Sequence, residues 1–324
     1  MKHSTRYLIA AATLMWAPLA VLAGTTVYVP LGSGNQVIKI NPDTSRIMSS
    51  YPGVKNPHGL VATPDGEYLI AGSLQENDGR SELALIHPAH GHVMSTIPVD
   101  GWSHHQAITA DGRYVISTHP TRGNISVVDL ESNKVVRTLD TGMAPNYTVI
   151  RPDGKFAYVS NTGSNNITEI DLGNWRVTRT LESGPAPEHM ALSRDGKTLF
   201  VANARAGKIS FIDIASGKPR LSQQLGGKIH GLDISDDGSR LFVSHIKDNA
   251  LSAIDSSTGR LIKRIELSPA PYHLNSIRGT GKVYVSSRKQ PKLWVIDQHT
   301  LAITGEITLP AGEGHQMAVV NTND

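Results

Sequence analysis

The 324-residue chain contains 31 lysines and arginines against 28 aspartates and glutamates, so its charges nearly balance. Such a balance gives no general attraction to nucleic acid or anionic lipid, and we expect neither as a partner. The chain has no cysteine, so it forms no disulfide, and a bound metal must take nitrogen or oxygen ligands.

The first 23 residues have the pattern of a secretory signal peptide. Two basic residues, Lys2 and Arg6, precede an apolar run over residues 7–22, and Ala23 precedes Gly24. The run is short for a membrane anchor, so we expect cleavage after residue 23 and export to the bacterial periplasm. No later segment is long and apolar enough to span a bilayer. We therefore expect residues 24–324 to form a single soluble domain.

From residue 24 onward the sequence repeats with a period of about 42 residues. Each unit holds a short apolar strand, a second apolar strand that usually ends in aspartate, a third strand, and a fourth that leads into an Asp-Gly turn. The first strands contain Val27, Tyr68, Tyr114, Ala157, Leu199, Leu241 and Val283. Short strands, Asp-Gly turns and the absence of helical periodicity predict an all-β fold, a seven-bladed β-propeller with four-stranded antiparallel blades.

The two ends of the repeat region complement each other. The N-terminal unit lacks an innermost strand, whereas residues 315–320 supply one after the last complete unit. We expect strands from both termini to share one blade. This arrangement closes the circle and removes two exposed sheet edges.

Histidines recur at one phase of the repeat. Seven residues before each turn aspartate, or the equivalent position, stand His58, His104, Asn146, Glu188, His230 and His273, with His315 at the same phase of the last strand. His105 and His189 occupy the next position in two units. The position begins the strand expected to line the central channel, so we predict a ring of imidazoles at the channel mouth, with a gap at Asn146.

Two interpretations of this pattern are open. Imidazole is a preferred ligand of zinc, copper and nickel, so the ring could bind a transition metal through His58, His104, His105, His189, His230, His273 and His315. Alternatively, each histidine donates to a carbonyl of the neighbouring blade. The propeller would then be a metal-free scaffold that binds a protein or a small ligand at its top face.

The repeat resembles that of the YVTN propellers. The resemblance rests on the segments Tyr158-Val159-Ser160-Asn161 and Phe200-Val201-Ala202-Asn203 and on the recurring Pro-Asp-Gly turns, and it covers nearly all of the chain after Gly24. These propellers are similar to the haem d1 domain of bacterial nitrite reductases and to the propeller of nitrous oxide reductase. The resemblance implies the fold directly and the function only weakly.

The resemblance also implies a metal. Nitrous oxide reductase holds a copper cluster with histidines on its inner propeller strands, including an adjacent pair, which His104 and His105 match. Copper, or zinc, is therefore expected at the seven histidines, in metal handling or redox chemistry, the latter as a copper-dependent oxidoreductase. Without a cupredoxin domain or cysteines, such an enzyme would need a periplasmic redox partner, and reduction of nitrous oxide is not carried over.

The haem d1 domains imply a different cofactor. By that resemblance, one or two of the same histidines would ligate or orient a haem d1-like tetrapyrrole. The chain has no Cys-x-x-Cys-His motif for covalent haem attachment.

Overall fold

Every element of the described chain is a short β-strand, in which successive side chains point to opposite faces. The computed structural model describes residues 24–75 and 77–321, and the predicted signal peptide lies outside them. The described residues form 28 strands in seven four-stranded antiparallel sheets, which confirms the predicted propeller. Within them, no helix is long and apolar enough to cross a membrane.

Each sheet is one blade, and we number the blades from the one that contains the first strand. The innermost strands of blades 1 to 7 are β28 (Ala318–Asn321), β4 (Pro57–Ala62), β8 (Gln106–Ile108), β12 (Pro145–Ile150), β16 (Pro187–Leu192), β20 (Ile229–Ile234) and β24 (Pro271–Ile277). The second strands are β1 (Thr25–Leu31), β5 (Leu69–Ser73), β9 (Tyr114–His119), β13 (Phe156–Asn161), β17 (Thr198–Asn203), β21 (Arg240–His245) and β25 (Lys282–Ser287).

Exposure to solvent increases in the outermost strand of each blade. The third strands are β2 (Gln36–Asn41), β6 (Arg80–His87), β10 (Asn124–Asp129), β14 (Asn166–Asp171), β18 (Lys208–Asp213), β22 (Ala250–Asp255) and β26 (Lys292–Asp297). The outermost strands are β3 (Arg46–Pro52), β7 (His92–Asp100), β11 (Lys134–Asp140), β15 (Arg176–Glu182), β19 (Lys218–Gln224), β23 (Leu261–Glu266) and β27 (Ile303–Thr308).

The hydrophobic core is divided among the interfaces between blades. On β13 of blade 4, Tyr158 belongs to one apolar cluster with Leu199 of blade 5. Its neighbour Val159 belongs to another cluster with Ile116 of blade 3. Both faces of a blade are therefore buried, which explains why the second strands are apolar at consecutive positions rather than at alternate ones.

Blade 1 is assembled from both ends of the chain, as predicted. Strand β28 pairs with β1 in antiparallel register, with Thr25 opposite Asn321 and Tyr28 opposite Ala318. A further bridge joins Leu31 to Gly314. The pairing gives each terminal strand a hydrogen-bonded neighbour on the edge that would otherwise be open.

A buried hydrogen bond recurs at the end of the second strand in four blades. The last residue of the strand, histidine or asparagine, bonds to a hydroxyl seven residues later, at 2.8–2.9 Å: His119 to Ser126, Asn161 to Thr168, Asn203 to Ser210 and His245 to Ser252. The asparagine that ends the Tyr-Val-x-Asn and Phe-Val-x-Asn segments is therefore a structural link within the blade.

Replacing Asn203 by alanine is expected to lower the free energy of unfolding by about 2 kcal/mol, because it leaves buried partners unsatisfied. The side-chain oxygen of Asn203 accepts hydrogen bonds from the N–H of Gly184 and the hydroxyl of Ser183, both at 2.9 Å, in addition to the bond that its nitrogen donates to Ser210. Urea denaturation measures the change, with Ser222→Ala on the exposed outermost strand as the control. A loss below about 0.5 kcal/mol would contradict the structural role.

Candidate metal centre

The innermost strands begin with a repeated turn that aims their first side chains at the propeller axis. In four blades the residue before the first proline of the strand has a left-handed backbone, with φ between 42° and 54°: Asn56, Ala144, Ala186 and Ala270. This conformation is unfavourable for residues with a Cβ, so it needs support from its surroundings. In three of the turns the N–H of this residue donates to an asparagine side chain of the preceding blade, at 2.8–2.9 Å: Asn35, Asn165 and Asn249.

Hydroxyl groups on the second strand of one blade bind a backbone carbonyl at the start of the innermost strand in the next blade. The side chains donate to the carbonyl of the second residue in the next innermost strand: Thr118 to Asn146 at 2.7 Å, Ser160 to Glu188 at 2.7 Å and Ser244 to Tyr272 at 2.5 Å. The phase predicted for His273 was therefore wrong by one residue, since Tyr272 has the register of Glu188 and His273 has that of His189. Because each strand start is fixed by the preceding blade, the side chains that point to the axis are pre-positioned on rigid elements.

Seven histidines meet at the axis and form what we call the histidine cluster: His58, His104, His105, His189, His230, His273 and His315. Six of them are buried, with at most 7% of their surface exposed, and His104 is partly exposed. The structure thus brings all seven predicted positions together. Six blades contribute, and blade 4 is the gap expected from the sequence.

The imidazoles fill the axis and do not surround an open channel. The ring centroid of His58 lies 4.1 Å from that of His315 and 4.3 Å from that of His104. His105 of blade 3 and His273 of blade 7 lie 5.5 Å apart. Side chains from distant blades therefore contact each other, so the predicted ring is a packed cluster.

Ligand atoms within the cluster come close enough to bind a common ion. Three sets of three histidines each place one nitrogen per residue within 4.8 Å of the others: His58, His273 and His315; His58, His104 and His105; and His105, His189 and His273. His58, His105 and His273 belong to two sets each, and we call them the hub histidines. His230 belongs to none of the three sets.

Many ring nitrogens of the cluster have no hydrogen-bond partner within the described part of the chain. Eight buried nitrogens are in this condition: both of His58, both of His189, Nδ1 of His104, Nε2 of His105, Nδ1 of His273 and Nδ1 of His315. A buried polar atom without a partner costs about 1–3 kcal/mol, so a concentration of them requires compensation. The donor set consists of neutral nitrogen, which suits copper, zinc and nickel. The residues therefore fit a transition-metal site.

Burial keeps five imidazoles of the cluster uncharged at neutral pH. Desolvation, followed by the charges of neighbouring histidines, holds the pKa well below 6.5 for four members: His58, His105, His189 and His273. Desolvation also lowers the pKa of His104 to about 4. These imidazoles are neutral near pH 7 and can bind a cation without first releasing a proton.

A carboxylate of blade 5 fixes His230. Nδ1 of His230 lies 2.5 Å from Oε2 of Glu188, and Nε2 lies 3.5 Å from Nε2 of His273. The imidazole also stacks on Tyr272, with centroids 4.3 Å apart and an angle of 10°. Burial raises the pKa of Glu188, but the charge and hydrogen bond of His230 outweigh it, so the pKa is lowered overall. Glu188 thus orients one imidazole at the edge of the cluster.

A second carboxylate, Glu313, approaches the cluster from the closing blade. Its Oε1 lies 3.3 Å from Nε2 of His315, and this hydrogen bond lowers the pKa of Glu313 to about 2. Glu313 was not among the site residues predicted from the sequence. Its place two residues before His315 was the available indication, because side chains two residues apart in an extended segment point the same way.

Tyr147 occupies the gap that blade 4 leaves between the histidines of its neighbours. Its ring stacks on His189 with centroids 4.4 Å apart and meets His105 edge-on at 4.9 Å. The carbonyl of Asn146 lies 3.0 Å from Nδ1 of His105. This contact leaves Nε2 of His105 directed to the cluster, so blade 4 orients a hub histidine without supplying a ligand itself.

A protein-family model matches part of the chain. A family model described as a YNCE-like beta-propeller matches residues 147–240, which lie in blades 4 to 6. No curated protein sequence matches the chain significantly.

Solved structures show the same fold at low sequence identity. The periplasmic gluconolactonase PpgL of Pseudomonas aeruginosa is 16% identical with a TM-score of 0.75, and the match covers 92% of this chain and 99% of that one. Hydrazine synthase of Kuenenia stuttgartiensis is 22% identical with a TM-score of 0.71, covering 78% and 86%. The dihydro-heme d1 dehydrogenase NirN, solved in complex with DHE, is 20% identical with a TM-score of 0.67, covering 88% and 64%. The predicted resemblance to the YVTN-repeat propeller family is confirmed, and likenesses at such identities establish the fold alone.

Proposed function

We propose that the histidine cluster binds a transition-metal ion, and that the metal is copper. The protein then serves in metal handling or in redox chemistry, with the electrons of a redox reaction supplied by a separate protein. The chemistry that copper would supply is one-electron transfer. The residues of this chain supply the ligands, keep water away from them and hold their orientation.

One observation carries the proposal: eight buried ring nitrogens that have no partner among the described residues lie in three interlocking sets of ligands. A structural histidine of the same chain differs from them. His119 uses both of its ring nitrogens, one with the carbonyl of Trp102 at 2.8 Å and the other with Ser126 at 2.9 Å. Its counterpart His245 uses one nitrogen, with Ser252. The concentration of nitrogens without a partner at the axis therefore favours metal binding over the structural interpretation of the cluster.

The spacing within the sets is close to that of a bound ion. Nitrogen ligands at about 2.0–2.1 Å from a tetrahedral ion lie about 3.3 Å apart. The nitrogens within each set are up to 4.8 Å apart, so binding an ion requires them to approach one another by up to about 1.5 Å. Among divalent ions, copper binds most tightly to a site of this kind and zinc follows, which favours copper where both are present.

We further propose that the protein works in the periplasm. The proposal is supported by the predicted signal peptide, residues 1–23, and by the near-complete coverage of a periplasmic gluconolactonase with the same fold. Absence of cysteine is compatible with an oxidising compartment, because no thiol is open to oxidation.

Protein purified from a copper-supplemented periplasm is expected to contain about one or more copper ions per chain. Elemental analysis measures the metal, and competition with zinc checks the expected preference for copper. Metal content below about 0.2 ions per chain after loading with copper or zinc would reject the proposal.

A second candidate, a haem d1-like tetrapyrrole, is favoured by the likeness to NirN, which was solved in complex with DHE. The close packing of the imidazoles leaves no space for a macrocycle inside the cluster. It would lie over the outer face, where His104 is partly exposed. The absorption spectrum of the same purified protein separates the candidates, because a tetrapyrrole gives intense visible bands that remain after copper has been removed with a chelator.

A further inference from the structure

A cleft of about 500 Å³ opens beside the histidine cluster, between blades 4, 5 and 6. It lies on the face that carries the turns leading into the innermost strands. Its polar lining includes Glu188, the carboxylate that contacts His230, and three cationic side chains: Arg205, Lys228 and Lys247. The cleft therefore reaches from solvent to the side chain that orients one edge of the cluster.

We infer that this cleft binds a small organic anion through Arg205, Lys228 and Lys247. The inference goes beyond the metal site and does not depend on it, since none of the three residues belongs to the cluster.

The three cations form no close ion pair in the described structure, although the charge of Lys228 acts on Glu188 at longer range. None of them forms an ion pair or a side-chain hydrogen bond with another described residue. They come from separate elements: Arg205 lies in the turn after β17, Lys228 directly before β20, and Lys247 in the turn after β21. Cations that three loops bring to one concave surface repel each other, and an anion would relieve this repulsion.

The nearby carboxylates do not outweigh the three cations. Glu188 lies against His230 at 2.5 Å. Asp248, which adjoins the cleft beside Gly227, is bound to Arg264 at 2.6 Å. The charge that faces the cleft therefore remains positive even when Glu188 is counted as a full negative charge. A cleft with one sign of charge and walls of low dielectric concentrates anions from solution.

A further cation lies on the same face. The guanidinium of Arg288 stands 5.2 Å from the centroid of Tyr272, and Tyr272 stacks on His230. Arg288 follows β25 in the corresponding turn of blade 7. Arg288 therefore adds a further positive charge on this face, close to the tyrosine that stacks on His230.

The size and the walls of the cleft define the ligand class. A volume of about 500 Å³ lies within the usual range for small-molecule sites and exceeds the needs of a single inorganic ion. Ala186, Ala204 and Gly227 supply small apolar surfaces between the cations. Guanidinium and ammonium groups bind carboxylates and phosphates. The expected ligand is an organic molecule with such a group at one end or at both.

Calorimetric titration of the metal-free full chain with succinate and with phosphate, at low ionic strength, tests the inference. Succinate is expected to bind, and its uncharged analogue succinamide is expected not to. Lys228→Gln combined with Lys247→Gln should weaken succinate binding at least tenfold, which is the effect of about 1.4 kcal/mol. Lys134→Gln combined with Lys218→Gln is the matched control, because it removes two exposed lysines from outermost strands. Arg205→Gln alone provides an independent variant.

The inference is overturned if wild-type protein binds no succinate, if succinamide binds equally well, or if both double variants bind with wild-type affinity. Binding of phosphate but not of succinate also overturns it, since it would show a site for an inorganic ion. His58→Gln combined with His105→Gln should leave succinate binding unchanged. The experiments therefore distinguish failure of the metal proposal from failure of this inference.

Discussion

Replacing His58 and His105 together by glutamine is expected to abolish metal binding by the chain. Each of the three sets of ligands contains at least one of these two hub histidines. No set would then retain three imidazoles, and loss of a ligand from a three-nitrogen site weakens binding by orders of magnitude. Copper titration followed by elemental analysis of the desalted protein measures the loss.

A matched variant removes the same number of histidines and retains one complete set. His104→Gln combined with His315→Gln leaves His105, His189 and His273 in place. This variant is expected to retain about one copper ion per chain. Equal losses in the two double variants would show that the hub histidines have no special part in binding.

A second control lies outside the cluster. His87 and His90 stack on each other in the loop of blade 2, with ring centroids 4.2 Å apart. Their replacement by glutamine is expected to leave the tightly bound copper unchanged. Cooperative urea unfolding of each variant, at pH 7.5, confirms that the propeller is intact before its metal content is compared.

The metal-free protein is expected to lose stability as the pH falls from about 6.5 to about 4. In the folded state, burial lowers the pKa of His104 to about 4, and those of His58, His105, His189 and His273 lie well below 6.5. Unfolded histidines take up protons near pH 6.5, whereas the buried ones remain neutral. Within this interval the unfolded state binds more protons, so each step to lower pH favours unfolding. Above about pH 7 both states are neutral at these sites, and their contribution does not change with pH.

The size of this effect makes it measurable. One pKa unit corresponds to about 1.4 kcal/mol, so the shift of His104 from 6.5 to about 4 represents on the order of 3 kcal/mol. The other buried histidines act in the same direction, and the whole stability of a domain is about 5–15 kcal/mol. The contribution of Glu313, whose pKa falls from 4.5 to about 2, is lost only at lower pH and can be separated from that of the histidines.

Urea denaturation of metal-free protein at several pH values between 7.5 and 4.5 measures this dependence. His104→Gln combined with His315→Gln should make the dependence shallower, since two titrating groups are removed. His87→Gln combined with His90→Gln should leave it unchanged. A constant free energy of unfolding across this interval would contradict the burial of a neutral histidine cluster.

The phase of the repeat was sufficient to identify the seven histidines from the sequence. Residues at the same position of successive blades lie on one circle, so a regular period converts sequence spacing into spatial proximity. The same reasoning predicted that residues at both ends of the chain share blade 1, which the pairing of Tyr28 with Ala318 confirms. Local pattern sufficed because each blade is built from neighbouring segments joined by short turns.

Contacts between side chains from different blades could not be predicted in this way. Glu188 and His230 are adjacent in space, as are Asn146 and His105, although each pair is separated by about one repeat in the sequence. Arg205 and Lys247 stand one repeat apart at the same phase, but Lys228 has a different phase, and only the arrangement of three loops brings the three cations together.

The sequence by itself determined the number of blades, the closure of the circle and the identity of the histidines at the axis, because each depends on period and order. Only the tertiary structure decided that the imidazoles pack into one buried cluster, with His58, His105 and His273 as shared members. The physical reason is that the distance across the axis depends on how the blades pack against one another. That packing determines which nitrogens face each other and which remain without a partner.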